Sequence, residues 1–233
     1  EEQVFQPAFP KFSRLHGFAA HIIESLIAEH VSGDELDYFS GNDSGDVWVD
    51  RALKYHGIPC DGFREYLQEN GVLTGDVNED HLYEYHQDLA VTGELGTLVE
   101  HLCEEVFYVL FANRKVLSCF NELMARGLRL HFEDIAPGQL GEHLKAPGVL
   151  KRVGIPAWVK HAVFYRDRGM CSLCQRDLSG TLSTQPDSQY DHTIPLAEGG
   201  LNDVTNIQLL CQTCNGVKSS SFVPVSSIYE SWY

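Results

Sequence analysis

The spacing of apolar residues predicts helices over roughly the first 130 residues. Between 13 and 32, apolar side chains recur three and four positions apart, giving one stripe along a helix that ends before Gly33. The stripe comprises Leu15, Phe18, Ala19, Ile22, Ile23 and Leu26. Further helices are predicted over 46–56, over 61–70 and, as two long helices broken near Thr92-Gly93, over 80–126. This part of the chain is expected to pack several amphipathic helices into one domain.

A different pattern begins after residue 135. Turn-forming pairs cluster there, at Pro137-Gly138 and Pro147-Gly148, which is the composition of a linker or an extended connection. One more helix is predicted over 157–166, and beyond it short apolar runs and turn-formers replace helical periodicity. We therefore predict an α+β protein. Its predicted parts are an all-α domain over 1–135, a linker over 136–154 and a small ββ-plus-helix domain over 155–233.

The charge of the chain is unevenly distributed. The 233 residues carry 17 Lys+Arg and 33 Asp+Glu, a net charge of −16 that by itself argues against binding a polyanion. Residues 1–144 hold a net charge of −17, whereas residues 145–233 hold +1. Within 145–176 there are seven basic residues and one acidic residue, Asp167. The sequence thus predicts an acidic helical domain followed by a segment with a locally basic face.

Membrane and export signals are not expected in this chain. No apolar run approaches the roughly 20 residues that a membrane-spanning helix needs. The first residues also lack a basic stretch leading into an apolar one. A cytoplasmic location is therefore predicted.

Four of the seven cysteines form two C-x-x-C pairs, Cys171/Cys174 and Cys211/Cys214, separated by 36 residues. Two thiolates spaced in this way can reach one tetrahedral ion from a tight turn, and two such turns complete a Cys₄ shell. A complete shell leaves no position for water or substrate, so we predict a structural Zn²⁺. Unligated buried thiols or a redox pair are the alternatives.

Polar and metal-ligating residues lie between and just after the two cysteine pairs. The runs are Tyr190-Asp191-His192-Thr193-Ile194-Pro195, Gly199-Gly200, Asn206-Ile207 and Cys214-Asn215-Gly216-Val217-Lys218, preceded by Arg166-Asp167-Arg168-Gly169-Met170-Cys171. Taken together, this pattern resembles the HNH endonuclease family over roughly residues 155–220. The resemblance implies a ββα-metal fold that two zinc knuckles hold together.

The resemblance also implies roles for four residues. His192 would be the general base that deprotonates water, Asp191 a metal ligand, and Asn206 the residue that ties down a loop and helps to orient His192; a mainly structural role is the alternative for Asn206. Asn215 stands where many members have histidine, and its carbonyl oxygen is a hard ligand that suits Mg²⁺. The expected catalytic cofactor is Mg²⁺ or Mn²⁺ on Asp191 and Asn215.

The family places a duplex against this module, which makes the nearby cations candidate phosphate contacts. They are Lys160, Arg166, Arg168, Arg176 and Lys218. Contacts of this kind give affinity without reading sequence, and ordinary solvated charges are the alternative. The expected partner is DNA, as a double strand.

The function predicted from these residues and the resemblance is metal-dependent endonucleolytic cleavage of DNA, leaving 5′-phosphate and 3′-hydroxyl ends. One alternative is a zinc-dependent nucleic-acid or protein-binding module without activity. Another is an effector, of the kind found in bacterial defence or restriction, whose nuclease is held off until the acidic helical domain meets a protein partner.

Overall fold

Two compact units make up the chain in the computed structural model, which describes residues 8–41, 46–130, 143–180 and 188–218. Residues 16–107 form one unit, called here the helical unit. Residues 1–15 and 108–233 form the other, called the mixed unit. The first part of the predicted linker, 136–142, and the end of the predicted second domain, 219–233, lie outside the described residues.

Seven helices are described before residue 131: α1 (Arg14–Glu29), α2 (Gly33–Gly41), α3 (Trp48–Tyr55), α4 (Phe63–Glu69), α5 (Glu79–Thr92), α6 (Glu94–Phe111) and α7 (Arg114–Leu130). After them come β1 (Leu144–Ala146), β2 (Val149–Leu150), α8 (Ala157–Arg166), β3 (Ser188–His192), β4 (Ile207–Cys211) and α9 (Gln212–Lys218). No helix in the described ranges is long and apolar enough to cross a membrane.

The helical unit packs around fully buried apolar side chains and one buried carboxylate. Asp50 of α3 is inaccessible to solvent and accepts hydrogen bonds from the Tyr85 hydroxyl at 2.6 Å and from the Phe63 backbone N–H at 3.0 Å. Burial raises the pKa of Asp50, and the two donors oppose that rise. The carboxylate therefore joins α3, the start of α4 and α5.

The two ends of the helical unit lie side by side. The ring of His16, at its start, stacks on the ring of Phe107, at its end, with centroids 3.9 Å apart. Both residues belong to the same unit, so the chain enters and leaves the helical unit at neighbouring points.

The predicted helices were largely correct in position, with corrections. Between 80 and 126 the chain forms three helices rather than two, because the Asn113 side chain accepts a hydrogen bond from the Val116 N–H at 3.1 Å and starts α7. Helix α2 was not predicted. In α1 the apolar stripe is only partly buried, since Phe18, Ile22 and Leu26 are 44%, 42% and 51% exposed.

The mixed unit contains two small antiparallel sheets. Strands β1 and β2 pair as a hairpin, so the described part of the predicted linker has regular structure. Strands β3 and β4 pair with Asp191 opposite Gln208 and His192 opposite Ile207. Helix α9 packs against both of these strands and α8 packs against β4. The predicted α+β class and the ββ-plus-helix unit are confirmed.

Helix α7 belongs to the mixed unit, although its sequence pattern had placed it with the helical domain. Its Arg114 donates to Asp167 at 3.1 Å, and its Asn121 donates to the Thr205 hydroxyl at 3.2 Å. The helical unit, 16–107, holds three Lys+Arg and 20 Asp+Glu, a net charge of −17, which leaves +1 on the mixed unit. The net charges of the two compact units thus equal those of residues 1–144 and 145–233, although the boundaries differ.

Candidate metal centre and active site

The four paired cysteines come together in the mixed unit. One sulfur atom from each of Cys171, Cys174, Cys211 and Cys214 lies within 4.8 Å of the other three. Four sulfurs about 2.3 Å from a zinc ion would lie about 3.8 Å apart. The Cys174 and Cys211 sulfurs are 3.8 Å apart. The donor set and its spacing fit a structural Zn²⁺, as the sequence predicted.

Each cysteine pair is held by backbone hydrogen bonds. In the first knuckle the Cys171 N–H donates to the Arg176 carbonyl at 2.9 Å, and the Gln175 N–H donates to the Cys171 carbonyl at 2.9 Å. The second knuckle joins the end of β4 to α9, where the Cys214 N–H points at the Cys211 sulfur. Burial opposes ionisation of Cys171, but surrounding backbone N–H groups bring its pKa down to about 7, whereas burial raises the pKa values of Cys174 and Cys214. The case for a metal therefore rests on the donor set and its spacing.

His192 is 2% exposed and is held through one ring nitrogen. Its Nε2 lies 3.1 Å from the Asn202 Oδ1, and the Asn202 Nδ2 donates to the Lys151 carbonyl at 2.8 Å. Because this second bond fixes which end of the amide faces the ring, Nε2 must carry the proton and Nδ1 the lone pair. Nδ1 finds no hydrogen-bond partner among the described residues.

The electrostatic setting of His192 favours the neutral ring. Burial lowers its pKa, the hydrogen bond with Asn202 and the Asp191 carboxylate oppose that change, and the nearby Arg152 and Lys218 reinforce it. A neutral imidazole with a free lone pair can accept a proton from water. The side chain therefore has the form that a general base needs.

Asn206 ties down the loop that follows His192. Its Oδ1 accepts from the Ile194 N–H at 2.8 Å, while its Nδ2 donates to the carbonyls of Ile194 and Leu201 at 3.0 and 2.9 Å. The backbone adds a further bond, because the Thr193 N–H donates to the Asn206 carbonyl. All hydrogen-bonding groups of this buried amide are engaged in holding the loop, so it has no free group to offer to a substrate.

The Gly199-Gly200 turn closes the same loop. Gly199 has φ +84°, which glycine adopts without strain, and a Cβ at Gly200 would lie 1.9 Å from the Ile194 carbonyl oxygen. A side chain at Gly200 would push apart the backbone that Asn206 holds. The two glycines are thus required by the shape of the loop.

Asp191 and His192 leave β3 on opposite faces, as adjacent strand residues must. The Asp191 Oδ2 accepts a hydrogen bond from the Lys218 ammonium at 2.7 Å, and the same ammonium donates to the His192 carbonyl at 2.8 Å. Asn215 is half-buried on α9, three residues before Lys218, and so lies on the face of α9 that meets Asp191. The fold places Asp191 and Asn215 on neighbouring elements.

A cleft of about 440 Å³ opens beside His192. It is lined by Arg152, Val153, Gly154, Ile155, Lys160, Ser188, Gln189, Tyr190 and His192. Arg152 and Lys160 are exposed there, which gives the cleft two cations. Of the predicted phosphate contacts, Lys160 lies at the cleft. Arg176 is exposed on the first knuckle and Arg168 is half-buried close to it.

Two of the predicted phosphate contacts require correction because they are engaged in the interior. The Arg166 side chain is 3% exposed, donates twice to Asp167 at 2.9 Å, and reaches the Ile207 carbonyl at 2.7 Å. The Lys218 side chain is 1% exposed and paired with Asp191. Neither cation is presented to a duplex on the surface.

Sequence reasoning missed four contributors to the site: Asn202, Arg152, Asp167 and Arg114. Asp167, which is fully buried, accepts from Arg114, Arg166 and the Leu209 N–H, and so joins α7, the end of α8 and β4. Asn202 stands two residues after the Gly199-Gly200 pair, and that position was the available signal for it. Nothing in the sequence distinguished Arg114 from a surface charge.

Comparison with known proteins agrees with this geometry. Residues 171–221 match the family model described as HNH endonuclease. Over these residues the chain therefore carries an HNH endonuclease domain, which suggests a nuclease or nucleic-acid-binding function. No curated protein and no solved structure matches the chain. The catalytic roles of individual residues stay predictions.

Proposed function

We propose that the protein is a metal-dependent endonuclease that hydrolyses phosphodiester bonds of DNA. The observation that carries the proposal is the buried His192, whose Nε2 is held by Asn202 while its Nδ1 has no partner in the described chain. A histidine that served only packing would be expected to satisfy both ring nitrogens. Nδ1 is itself buried, and we propose that its unused lone pair accepts the proton of the attacking water when the substrate is bound.

Different residues of the chain perform different steps of the proposed hydrolysis. His192 accepts the proton of the attacking water at Nδ1 while Asn202 keeps the other ring nitrogen protonated. Asn206 fixes the loop, so that the ring stays in place as the water loses its proton. Arg152 and Lys160 bind the phosphate backbone at the cleft.

Asp191 and Asn215 fit the demands of a hard divalent cation, because each offers an oxygen ligand and their elements adjoin. Such an ion would stabilise the negative charge that develops on the phosphate and the departing oxygen. The chain's own contribution is to aim the two ligands: β3 carries Asp191, and α9, fixed at its start by the second knuckle, carries Asn215.

Plasmid cleavage tests the proposal. The zinc-loaded chain should convert supercoiled plasmid to nicked or linear product with Mg²⁺ or Mn²⁺, and His192→Ala should lower the rate by about 10²-fold or more. His161→Ala removes an exposed histidine of α8 and is the matched control, expected to cleave as the parent does.

Equal cleavage by the parent and by His192→Ala would reject His192 as the base. If the parent does not cut but shifts DNA in a gel, the alternative is favoured, that of a binding module without activity. Restriction or defence, with the helical unit as the receptor for a protein partner, is the biological setting we propose for a nuclease linked to so acidic a unit.

A further inference from the structure

Lys218 is an unusual neighbour for a metal ligand. Its ammonium group lies 2.7 Å from the Asp191 Oδ2 and 2.8 Å from the His192 carbonyl oxygen. The Lys218 side chain is 1% exposed and the Asp191 side chain is 14% exposed. A buried ammonium is stable only when it is paired, and this one is held by the residue proposed to bind the catalytic ion.

The contact with Lys218 places the two carboxylate oxygens of Asp191 in different environments. Oδ2 is occupied by Lys218, whereas Oδ1 accepts no hydrogen bond from the described part of the chain. The carboxylate can therefore offer a single oxygen to a cation. Partners that orient a metal ligand in this way commonly decide its affinity.

The contact also cancels charge. Asp191 and Lys218 together are neutral, and the amide of Asn215 adds nothing. The cleft beside His192, whose described lining includes neither Asp191 nor Asn215, has two cations, Arg152 and Lys160, and no acidic side chain. A divalent cation approaching the free protein thus meets ligands that carry no net negative charge, although cations of this kind are usually held by charged oxygens.

We infer that Lys218 is a positioning residue that makes binding of the divalent ion depend on the nucleic acid. The phosphate of the bound strand supplies the negative charge that Asp191, neutralised by Lys218, does not. Ion and duplex then bind cooperatively, and each strengthens the other by the same factor. This inference rests on the proposed function, because it takes Asp191 and Asn215 as the ligands of the ion.

Mn²⁺ binding to the full-length, zinc-loaded chain tests the inference, with free Mn²⁺ measured by its electron paramagnetic resonance signal. The His192→Ala background prevents cleavage and leaves Asp191, Asn215 and Lys218 in place. We expect weak binding to the protein alone and binding about tenfold or more tighter when a short duplex is added. Two controls measure Mn²⁺ that is bound at other sites: the duplex without protein, and the Asp191→Asn variant with duplex.

Lys218→Gln separates charge from hydrogen bonding, since glutamine can still donate to Asp191 but carries no charge. It should tighten Mn²⁺ binding to the protein without duplex by about tenfold. Lys115→Gln, which removes an exposed cation of α7, should leave that affinity unchanged. If Lys218→Gln does not fold, Lys218→Arg in the His192→Ala background is measured instead: because it keeps the positive charge beside Asp191, it should bind Mn²⁺ without duplex as weakly as the unsubstituted background does, and tighter binding would contradict the inference.

Two outcomes would overturn the inference: Mn²⁺ binding that is as tight without duplex as with it, or a Lys218→Gln affinity equal to that of the parent. Either can occur while the parent still cleaves plasmid, and then the proposed function stands alone. Conversely, a parent that shows the cooperativity and the Lys218→Gln effect but does not cleave would retain the inference and lose the catalysis.

Discussion

Asn202 determines which nitrogen of His192 can act, at the scale of single residues. Its carbonyl oxygen accepts a hydrogen bond from the ring Nε2–H, and its Nδ2 donates to the Lys151 carbonyl at the end of the β1–β2 hairpin. Two hydrogen bonds thus connect the orientation of a proposed base to a strand pair that lies outside the HNH match. A packing contact would not select a tautomer in this way.

Replacing Asn202 is expected to change the tautomer as well as the rate. In Asn202→Ala the ring should populate both tautomers, and cleavage should slow by about 10- to 100-fold, mainly in kcat, because the base is misaligned while DNA contacts remain. Asn202→Asp should keep the Nε2 proton, since a carboxylate accepts it. Long-range ¹⁵N–¹H NMR spectra of the histidine ring report the tautomer directly. An Asn202→Ala protein with the parent's ring spectrum would refute the assignment.

Sequence and structure agree best where a residue's role depends on its neighbours in the chain. The run around Asp191 and His192 and the two cysteine pairs could be recognised because the spacing of these residues along the chain determines what they can bind together. The buried ion pairs of Lys218 and Arg166 could not be recognised, because the sequence does not distinguish a basic residue that faces a phosphate from one that faces a buried carboxylate. Whether each basic side chain is buried depends on where Asp191 and Asp167 lie in three dimensions. The helical and strand patterns of the sequence do not specify those positions.

Among the elements, the zinc knuckles are joined directly to the two-stranded sheet of β3 and β4. The first knuckle is bound to β4 through the Ser172 N–H and the Leu209 carbonyl at 2.8 Å, and the second begins where β4 ends. The Ser172 hydroxyl also donates to the buried Gln208 at 2.9 Å, next to the Asp191 pairing. Loss of the metal should therefore loosen the strand pair that carries Asp191 and His192.

Removal of one thiolate tests this element. Cys171→Ser should reduce bound zinc from about one ion per chain to well below one, and should lower the melting temperature of the mixed unit. Cys119→Ser, which changes an exposed cysteine of α7 outside the cluster, should alter neither quantity. Metal analysis by atomic emission and thermal unfolding measure the two effects. A Cys171→Ser protein with one zinc and the parent's melting temperature would exclude the proposed site.

The break between α6 and α7 shows what periodicity misses at this scale. The apolar pattern continues through 111–114, so it predicted one long helix where the Asn113 cap starts a new one. The new helix carries Arg114 to Asp167 and Asn121 to Thr205. The Asn113 cap thereby starts a separate helix, and that helix belongs to the mixed unit.

For the molecule as a whole, the boundary suggested by composition and the boundary set by packing differ. Proline and glycine between 137 and 148 suggested that the second domain starts near 155, whereas contacts place 108–130 within it. Asp167 explains the difference, because it needs Arg114 to help balance its buried charge. The helical character of 1–130 was predictable, but its division between two units was not.

Fragments test this assignment of α7. A fragment of residues 145–233 lacks Arg114 and Asn121 of α7, although Arg166 still pairs with Asp167, and should be less stable than a fragment of 108–233 by about 1–3 kcal/mol, the cost of leaving buried hydrogen-bonding groups without these partners. Both fragments lack 1–15, which makes the comparison a matched one. Thermal unfolding with zinc present measures the difference. Equal melting temperatures would show that α7 contributes nothing to the mixed unit.

The side-by-side ends of the helical unit have a consequence during synthesis. The helical unit is an insertion, because residues of the mixed unit lie on both sides of it in the chain, and the stacked rings of His16 and Phe107 hold its two ends together. A ribosome therefore releases a complete helical unit while residues 8–15 still lack their partners, such as Asn202 for Phe9 and Asp203 for Arg14. The last knuckle cysteine, Cys214, is made later still. A cell making this protein would therefore complete the acidic unit before the residues of the proposed nuclease site are all synthesised.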